Sequence, residues 1–257
     1  MKTPGGVPGG RGPPPNSTTC GLQGRREGGT IGIMTGVVIV GAGPGIATSV
    51  ARRFAAAGMP VGLVARTEAS IDATRQALAA AGVAVAGATA DAGQDDQLTA
   101  ALDILTGQLG APEALIYNAG LIRHDRPGEL SREQHVTAYA INVLGAMTAA
   151  VHLAPAMAAA GGGSILITGG MPEPDPALTS LSLGKAGVRA LTALLAGEYG
   201  PAGIHVATVT VGGAVAPGGP FDPDRIAEEY WRLHTQRPEA WDHEVAFTGA
   251  GTEPRSL

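Results

Sequence analysis

Gly41, Gly43 and Gly45 lie between a short apolar run, GVVIVG (36–41), and a segment with helical apolar spacing, 44–58. Glycines at such a junction let the backbone turn tightly and approach a pyrophosphate. The N–H groups and positive end of the following helix then favour the phosphate charge. Glycine also serves ordinary turns, so the triplet alone is weak. Its setting between strand and helix, with a second strand ending roughly 25 residues on, reads as a dinucleotide site. That second strand ends at Ala65 and is followed by Arg66 and Thr67. An acid there would accept hydrogen bonds from ribose hydroxyls and repel a 2′-phosphate. An arginine forks onto a phosphate and a threonine adds a donor, which favours NADP over NAD. The plain alternative is a solvated arginine at a strand end.

The elements that must hold these residues alternate from Met34 onward. Strands are expected at 36–41, 60–66, 83–91, 114–120, 164–170, 204–211 and 243–249. Helices are expected at 44–58, 69–82, from 92 to about 107, from Ser131 to Ala160 with a kink at Pro155, from Thr179 to Tyr199, and at 222–236. Alternating βα units of this length imply an α/β, Rossmann-type, doubly wound parallel sheet of about seven strands in three αβα layers. One domain, 34–257, carries it.

Composition agrees. Of 257 residues 44% are hydrophobic but only 4% aromatic, as in a core of Val, Ile, Leu and Ala strands flanked by helices. A net charge of −5 argues against a nucleic-acid surface. No unbroken apolar run spans a bilayer, so no membrane partner is expected. Cys20 is the single cysteine, which excludes a cysteine metal cluster and fits a cytoplasmic protein; no metal is expected. Residues 1–33 are dense in Gly and Pro and read as a disordered extension, a tail or the product of an early start with Met34 as the alternative start.

The turn Val40-Gly41-Ala42-Gly43-Pro44-Gly45-Ile46-Ala47 resembles the TGxxxGIG turn of the short-chain dehydrogenase/reductase family. Gly41, Gly45 and Ile46 match, while Ala47 and Val40 replace a glycine and a threonine. Asn118-Ala119-Gly120 resembles the family's NAG at the end of the fourth strand. Asp91, with Ala92 beside it, sits where the family sets an aspartate against the adenine. Asn142 resembles the helix asparagine, and Lys185 the lysine of the YxxxK motif. The resemblance runs over about residues 35–216.

It implies hydride transfer between a nicotinamide and a carbonyl or alcohol carbon. In the family a tyrosine moves the proton, a lysine lowers the tyrosine pKa and holds the nicotinamide ribose, a serine binds the substrate oxygen, and an asparagine holds a water relay. At the tyrosine position this chain has Leu181, which cannot transfer a proton. Spacing puts Thr168 at the serine position, whereas the strand itself aligns Gly169 or Gly170 there. VGGAVA (211–216) stands in place of the family's PGxVxT. The expected catalytic set is Lys185, Asn142 and Thr168.

Other side chains could carry the proton only if their positions allow it. Tyr139 and His135 share a helical stripe with Asn142, but Tyr139 reads better as a core residue. Tyr117 reads as packing beneath the cofactor. Ser180 and Ser182 flank Leu181 but point elsewhere. His124, in the loop after NAG, reads first as a solvated histidine. Three functions remain: an oxidoreductase with a non-standard proton donor, a non-redox enzyme of isomerase or cyclase type, and a non-catalytic NADP(H)-binding sensor or scaffold. The loop APGGPFDPD (216–224) reads as a lid, and its helix, with Leu181, as an apolar wall for an apolar small-molecule substrate. By resemblance the protein forms a homodimer or homotetramer through the helices of Asn142 and Lys185.

Overall fold

The computed structural model describes Met1, residues 36–249 and the backbone of residues 252–254. The rest of the expected disordered extension, with Cys20, and the alternative start Met34 lie outside the described residues. The chain divides into Met1–Gly32 and Ile33–Leu257, and the architecture is that of the second unit.

Seven parallel strands form its sheet: β1 (Val37–Val40), β2 (Val61–Ala65), β3 (Val85–Thr89), β4 (Ala114–Tyr117), β5 (Gly163–Thr168), β6 (Ile204–Val211) and β7 (Glu244–Phe247). A short antiparallel strand, β8 (Thr252–Pro254), adds an edge that the sequence pattern does not reveal. The order is β3-β2-β1-β4-β5-β6-β7-β8. Helices α1 (Ile46–Ala56), α2 (Glu68–Ala77), α3 (Asp95–Leu109), α4 (Arg132–Tyr139), α5 (Gly145–Ala159), α6 (Thr179–Tyr199) and α7 (Pro223–His234) cover the faces.

β1, β2 and β4 are buried along their whole length, which is why they are unbroken apolar runs rather than alternating ones. One core holds Val38, Val40, Leu102, Tyr117, Leu153 and Val188. The other holds Ile39, Phe54, Leu63, Ile116, Tyr230 and Leu233. Val40 stands opposite Val64 on one side and Tyr117 on the other, so three carboxyl ends finish level. The chain leaves β1 toward β2 and later returns to β4 on its other side. That reversal opens a crevice at the carboxyl ends, where such sheets bind ligands.

Two expectations change. The long helix is interrupted not at Pro155, which sits inside α5, but by a π-turn at Ala140–Leu144. The Tyr117 hydroxyl donates to the Ile141 carbonyl at 2.6 Å there, and the Asn142 side chain turns out of the helix onto Leu121. The stretch Arg132–Ala159 has the length and apolarity of a membrane span, but Ala149, Leu153 and Met157 bury its inner face on the sheet. Second, α7 does not wall the crevice beside Leu181. It packs on α1 and sends Ile226, Tyr230 and Leu233 into the second core, so the residues after β6 that line the cavity are Gly212 to Val215.

Candidate active site

The glycine turn is shaped by two needs. Gly41 has φ 91°, and a Cβ there would lie 2.3 Å from the Ala119 nitrogen, so its bareness lets the ends of β1 and β4 touch. At Gly43 and Gly45 a Cβ would enter open space, the groove itself. Gly45 is the N-cap of α1 and supplies no side-chain cap, so no side chain fills the N-terminal end of that helix. The Thr48 hydroxyl donates to the Gly43 carbonyl at 2.8 Å and fixes the turn. Bare backbone, an uncapped helix N-terminus and open space form a cradle that fits a pyrophosphate.

On one side of the cradle lies a recess of about 390 Å³ lined by Arg66, Thr67, Asp91, Ala92, Ala119 and Gly120, among others. Arg66 is exposed and makes no hydrogen bond or ion pair among the described residues. Thr67 caps α2, accepting from the Ser70 N–H at 3.3 Å. Asp91 accepts from the Gly93 N–H at 2.9 Å, which orients its carboxylate at the recess wall.

On the other side lies a cavity of about 790 Å³, and the two share Asn118 and Gly120. Ile46, Ile122, Met171, Leu178, Leu181 and Val215 give it an apolar wall. Lys185, two-turn neighbour of Leu178 and one turn past Leu181, reaches in from α6. Its Nζ donates to the Thr168 carbonyl at 2.6 Å. Burial with no carboxylate in ion-pair range, among the described residues, pulls its pKa down to about 8.

Asn118 ties three strands together. Its amide nitrogen donates to the Gly41 carbonyl at 3.3 Å, and its oxygen accepts from the Thr168 hydroxyl at 2.9 Å. The Thr168 proton is spent on that bond, so the Tyr230 hydroxyl, 2.6 Å away, donates to Thr168. Burial pushes the Tyr230 pKa up, and Tyr117 likewise. Asn142 is buried, accepting from the Leu121 N–H at 2.7 Å and donating to the Leu121 carbonyl at 3.3 Å. It therefore holds the loop that follows Gly120.

Thus Gly45, Ile46, Asn118, Gly120, Thr168 and Lys185 meet at the cavity, and Gly41, Arg66, Thr67, Asp91, Ala92 and Ala119 at the recess. Gly43 faces the open groove between. Tyr139 is 41% exposed beside Gly187 rather than in the core, because the π-turn rotates the helix between it and Asn142. His124, His135 and Tyr139 do not line the cavity.

Sequence reasoning missed the props. Asp125 is buried, and its carboxylate accepts from the Ser180 N–H at 3.0 Å and hydroxyl at 2.6 Å. It thereby caps the start of α6 from 55 residues away. Arg189 donates to the Gly170 and Met171 carbonyls, holding Met171 at φ 49° on the cavity rim. Nothing local marks these partners, since each is far away in sequence.

Known proteins place this geometry. The family described as short chain dehydrogenase matches residues 35–218. A short-chain reductase protein, NovJ, from Streptomyces niveus is 30% identical over 194 residues, which are 74% of this chain and 72% of that protein. The crystal structure of a short-chain dehydrogenase from Rhodopseudomonas palustris is 26% identical, covers 82% of this chain and 97% of its own, and superposes with a TM-score of 0.75. An alcohol dehydrogenase from Thermococcus sibiricus, solved with 5-hydroxy-NADP, shares the fold at 22% identity and a TM-score of 0.76, over 86% of this chain and all of its own. With the glycine cradle, the NAG strand end and the α6 lysine all opening on one crevice, the chain belongs to the short chain dehydrogenase family.

Proposed function

We propose that this protein is an NAD(P)-dependent oxidoreductase acting on the carbonyl or alcohol carbon of a largely apolar small molecule, with NADP(H) preferred. The observation that carries the reading is a pair of adjoining cavities that share Asn118 and Gly120, Arg66 lining one and Lys185 the other, beside an open phosphate cradle. The nicotinamide, when bound, supplies or takes the hydride. Gly43, Gly45 and Ile46 would hold the pyrophosphate, Asp91 and Ala92 the adenine side, and Arg66 with Thr67 a 2′-phosphate. Lys185 would hold the nicotinamide ribose. Likeness to a named reductase and to a structure solved with 5-hydroxy-NADP supports this reading.

Leu181 takes the place of the family's tyrosine in this reading and offers no proton. Thr168 spends its hydroxyl on Asn118, and Asn142 spends its amide on Leu121, so both act as positioning residues. Water reaching the open cavity then carries the proton. General acid–base help is worth about 10²–10⁴-fold, so such an enzyme is slow but not dead. Leu181 equally favours a non-redox reaction of isomerase or cyclase type. Nicotinamide absorbance followed against a panel of apolar aldehydes, ketones and alcohols separates the two: a substrate-dependent change supports the redox reading, and turnover without one selects the other.

We further propose a cytoplasmic homo-oligomer. Val136, Leu144, Met147 and Val151 along α4–α5, with Leu183 and Leu194 on α6, expose two apolar stripes that a second copy would cover. A monomer mass in solution would overturn this.

A further inference from the structure

Lys185 is one of only two lysines in the chain, the other being Lys2; every other basic side chain of the 17 is arginine. It is 8% exposed, yet it lines a cavity of about 790 Å³. Its one hydrogen-bond partner among the described residues is a backbone carbonyl, that of Thr168. One turn earlier on the helix stands Leu181, which brings no hydroxyl to occupy the amine. On the other side is Gly170, where a Cβ would sit 3.7 Å from the Lys185 Cε, so that position sets no side chain against the stem.

We propose that Lys185 is a carbonyl-reactive amine that condenses with an apolar aldehyde or unhindered ketone in this cavity to form an imine. The same cavity is lined by the carboxylates Glu173 and Asp175, but neither pairs with the Lys185 Nζ among the described residues. A lysine desolvated in this way without an ion-pair partner is the arrangement that makes the free amine available as a nucleophile. With its pKa pulled down to about 8, on the order of a tenth of it is free base at pH 7. The Nζ lone pair forms a bond to the carbonyl carbon while the C=O π pair moves onto oxygen. In the resulting carbinolamine the nitrogen pair forms C=N as the oxygen leaves. That oxygen departs as water, carrying both amine protons, and nothing is oxidised or reduced. Leu178, Leu181, Val211 and Val215 would surround the carbon chain of the ligand and disfavour return of the water. The imine needs no nucleotide and would form on the nucleotide-free chain, because a bound nicotinamide ribose would engage the same Nζ.

The test uses the full chain, hexanal and sodium cyanoborohydride, which traps imines as stable secondary amines. Peptide mapping by mass spectrometry then gives the trapping rate at Lys185, with free Nα-acetyl-lysine added as the reference amine. At pH 7 Lys185 is expected to be trapped on the order of 100-fold faster than the reference, from the difference in free-base fraction. Raising the pH above 8 should shrink that ratio, because Lys185 is then already free base while the reference amine is not. Trapping at Lys185 no faster than at the reference, or a ratio unchanged between pH 7 and pH 10, would overturn the proposal. Because no nucleotide is present, neither result bears on cofactor binding.

Discussion

Lys185 meets Thr168 through the backbone: its Nζ donates to the Thr168 carbonyl at 2.6 Å, while the hydroxyl of the same threonine turns to Asn118 and Tyr230. One residue thus anchors the lysine with its peptide group and ties β4, β5 and α7 together with its side chain. The two jobs separate by mutation. Thr168→Val leaves the Lys185 contact in place but strands the buried Tyr230 hydroxyl, and should cost about 1–3 kcal/mol. Tyr230→Phe leaves the Thr168–Asn118 bond intact and should cost about 1 kcal/mol. The double variant should cost less than the sum, because the stranded hydroxyl is gone. Urea unfolding of the four proteins reads the cycle, and strictly additive costs would refute the coupling.

Asn142 governs the other wall. Asn142→Ala removes both bonds to Leu121 and should cost about 1–3 kcal/mol while weakening nucleotide binding, because Gly120 and Leu121 line the recess. Asn142→Asp is not conservative here. Its second oxygen would face the Leu121 carbonyl, so it should bind nucleotide less well than the native chain. Native affinity in the aspartate variant would show that the amide donor is idle.

Lys185 makes stability depend on pH. Its folded pKa is about 8, below that of the unfolded chain, so the unfolded state binds more protons between those values. The cost of burying the ammonium is full below pH 8 and is relieved as the pH rises toward 10, by up to about 3 kcal/mol. Above pH 10 the raised pKa values of Tyr117 and Tyr230 act in the opposite sense, since the folded state then holds its phenolic protons longer. Stability of Lys185→Met, measured beside the native chain from pH 7 to 10, should lack this rise. Parallel curves would contradict the burial argument.

Arg66 is exposed and has no ion-pair partner among the described residues. Arg66→Ala should weaken NADPH binding roughly 10–100-fold, the value of a charge-assisted bond of about 1.5–3 kcal/mol, and leave NADH unchanged. Equal losses for both nucleotides would place Arg66 elsewhere than on a 2′-phosphate.

Most of the fold was legible because its signals are local. Buried parallel strands write themselves as apolar runs, and Thr179–Tyr199 reads from the sequence at both ends. Strand β8 was not legible, being three residues long with a proline. The break at Ala140–Leu144 was not legible because its causes, Tyr117 and Leu121, lie on another element. α7 was misplaced for a related reason. Its apolar stripe says that it packs, but not on which face, and Tyr230 lies in the second core, bonded to Thr168, rather than on the cavity wall. Gly41 and Asn118, whose motifs carry backbone chemistry, stand out in the sequence, and the structure brings them within one hydrogen bond of each other. Asp125 and Arg189, which act through contacts distant in sequence, do not stand out.

The most direct test of the account is fluorescence titration of NADPH and NADH against the native chain and Gly43→Glu. Nothing lies within 4 Å of a Cβ at Gly43, so the glutamate fits the fold and sets its charge in the phosphate cradle. The account predicts saturable NADPH binding to the native chain, and its loss in Gly43→Glu at unchanged thermal stability. Failure of the native chain to bind either nucleotide, or undiminished binding with a carboxylate in the cradle, would contradict it.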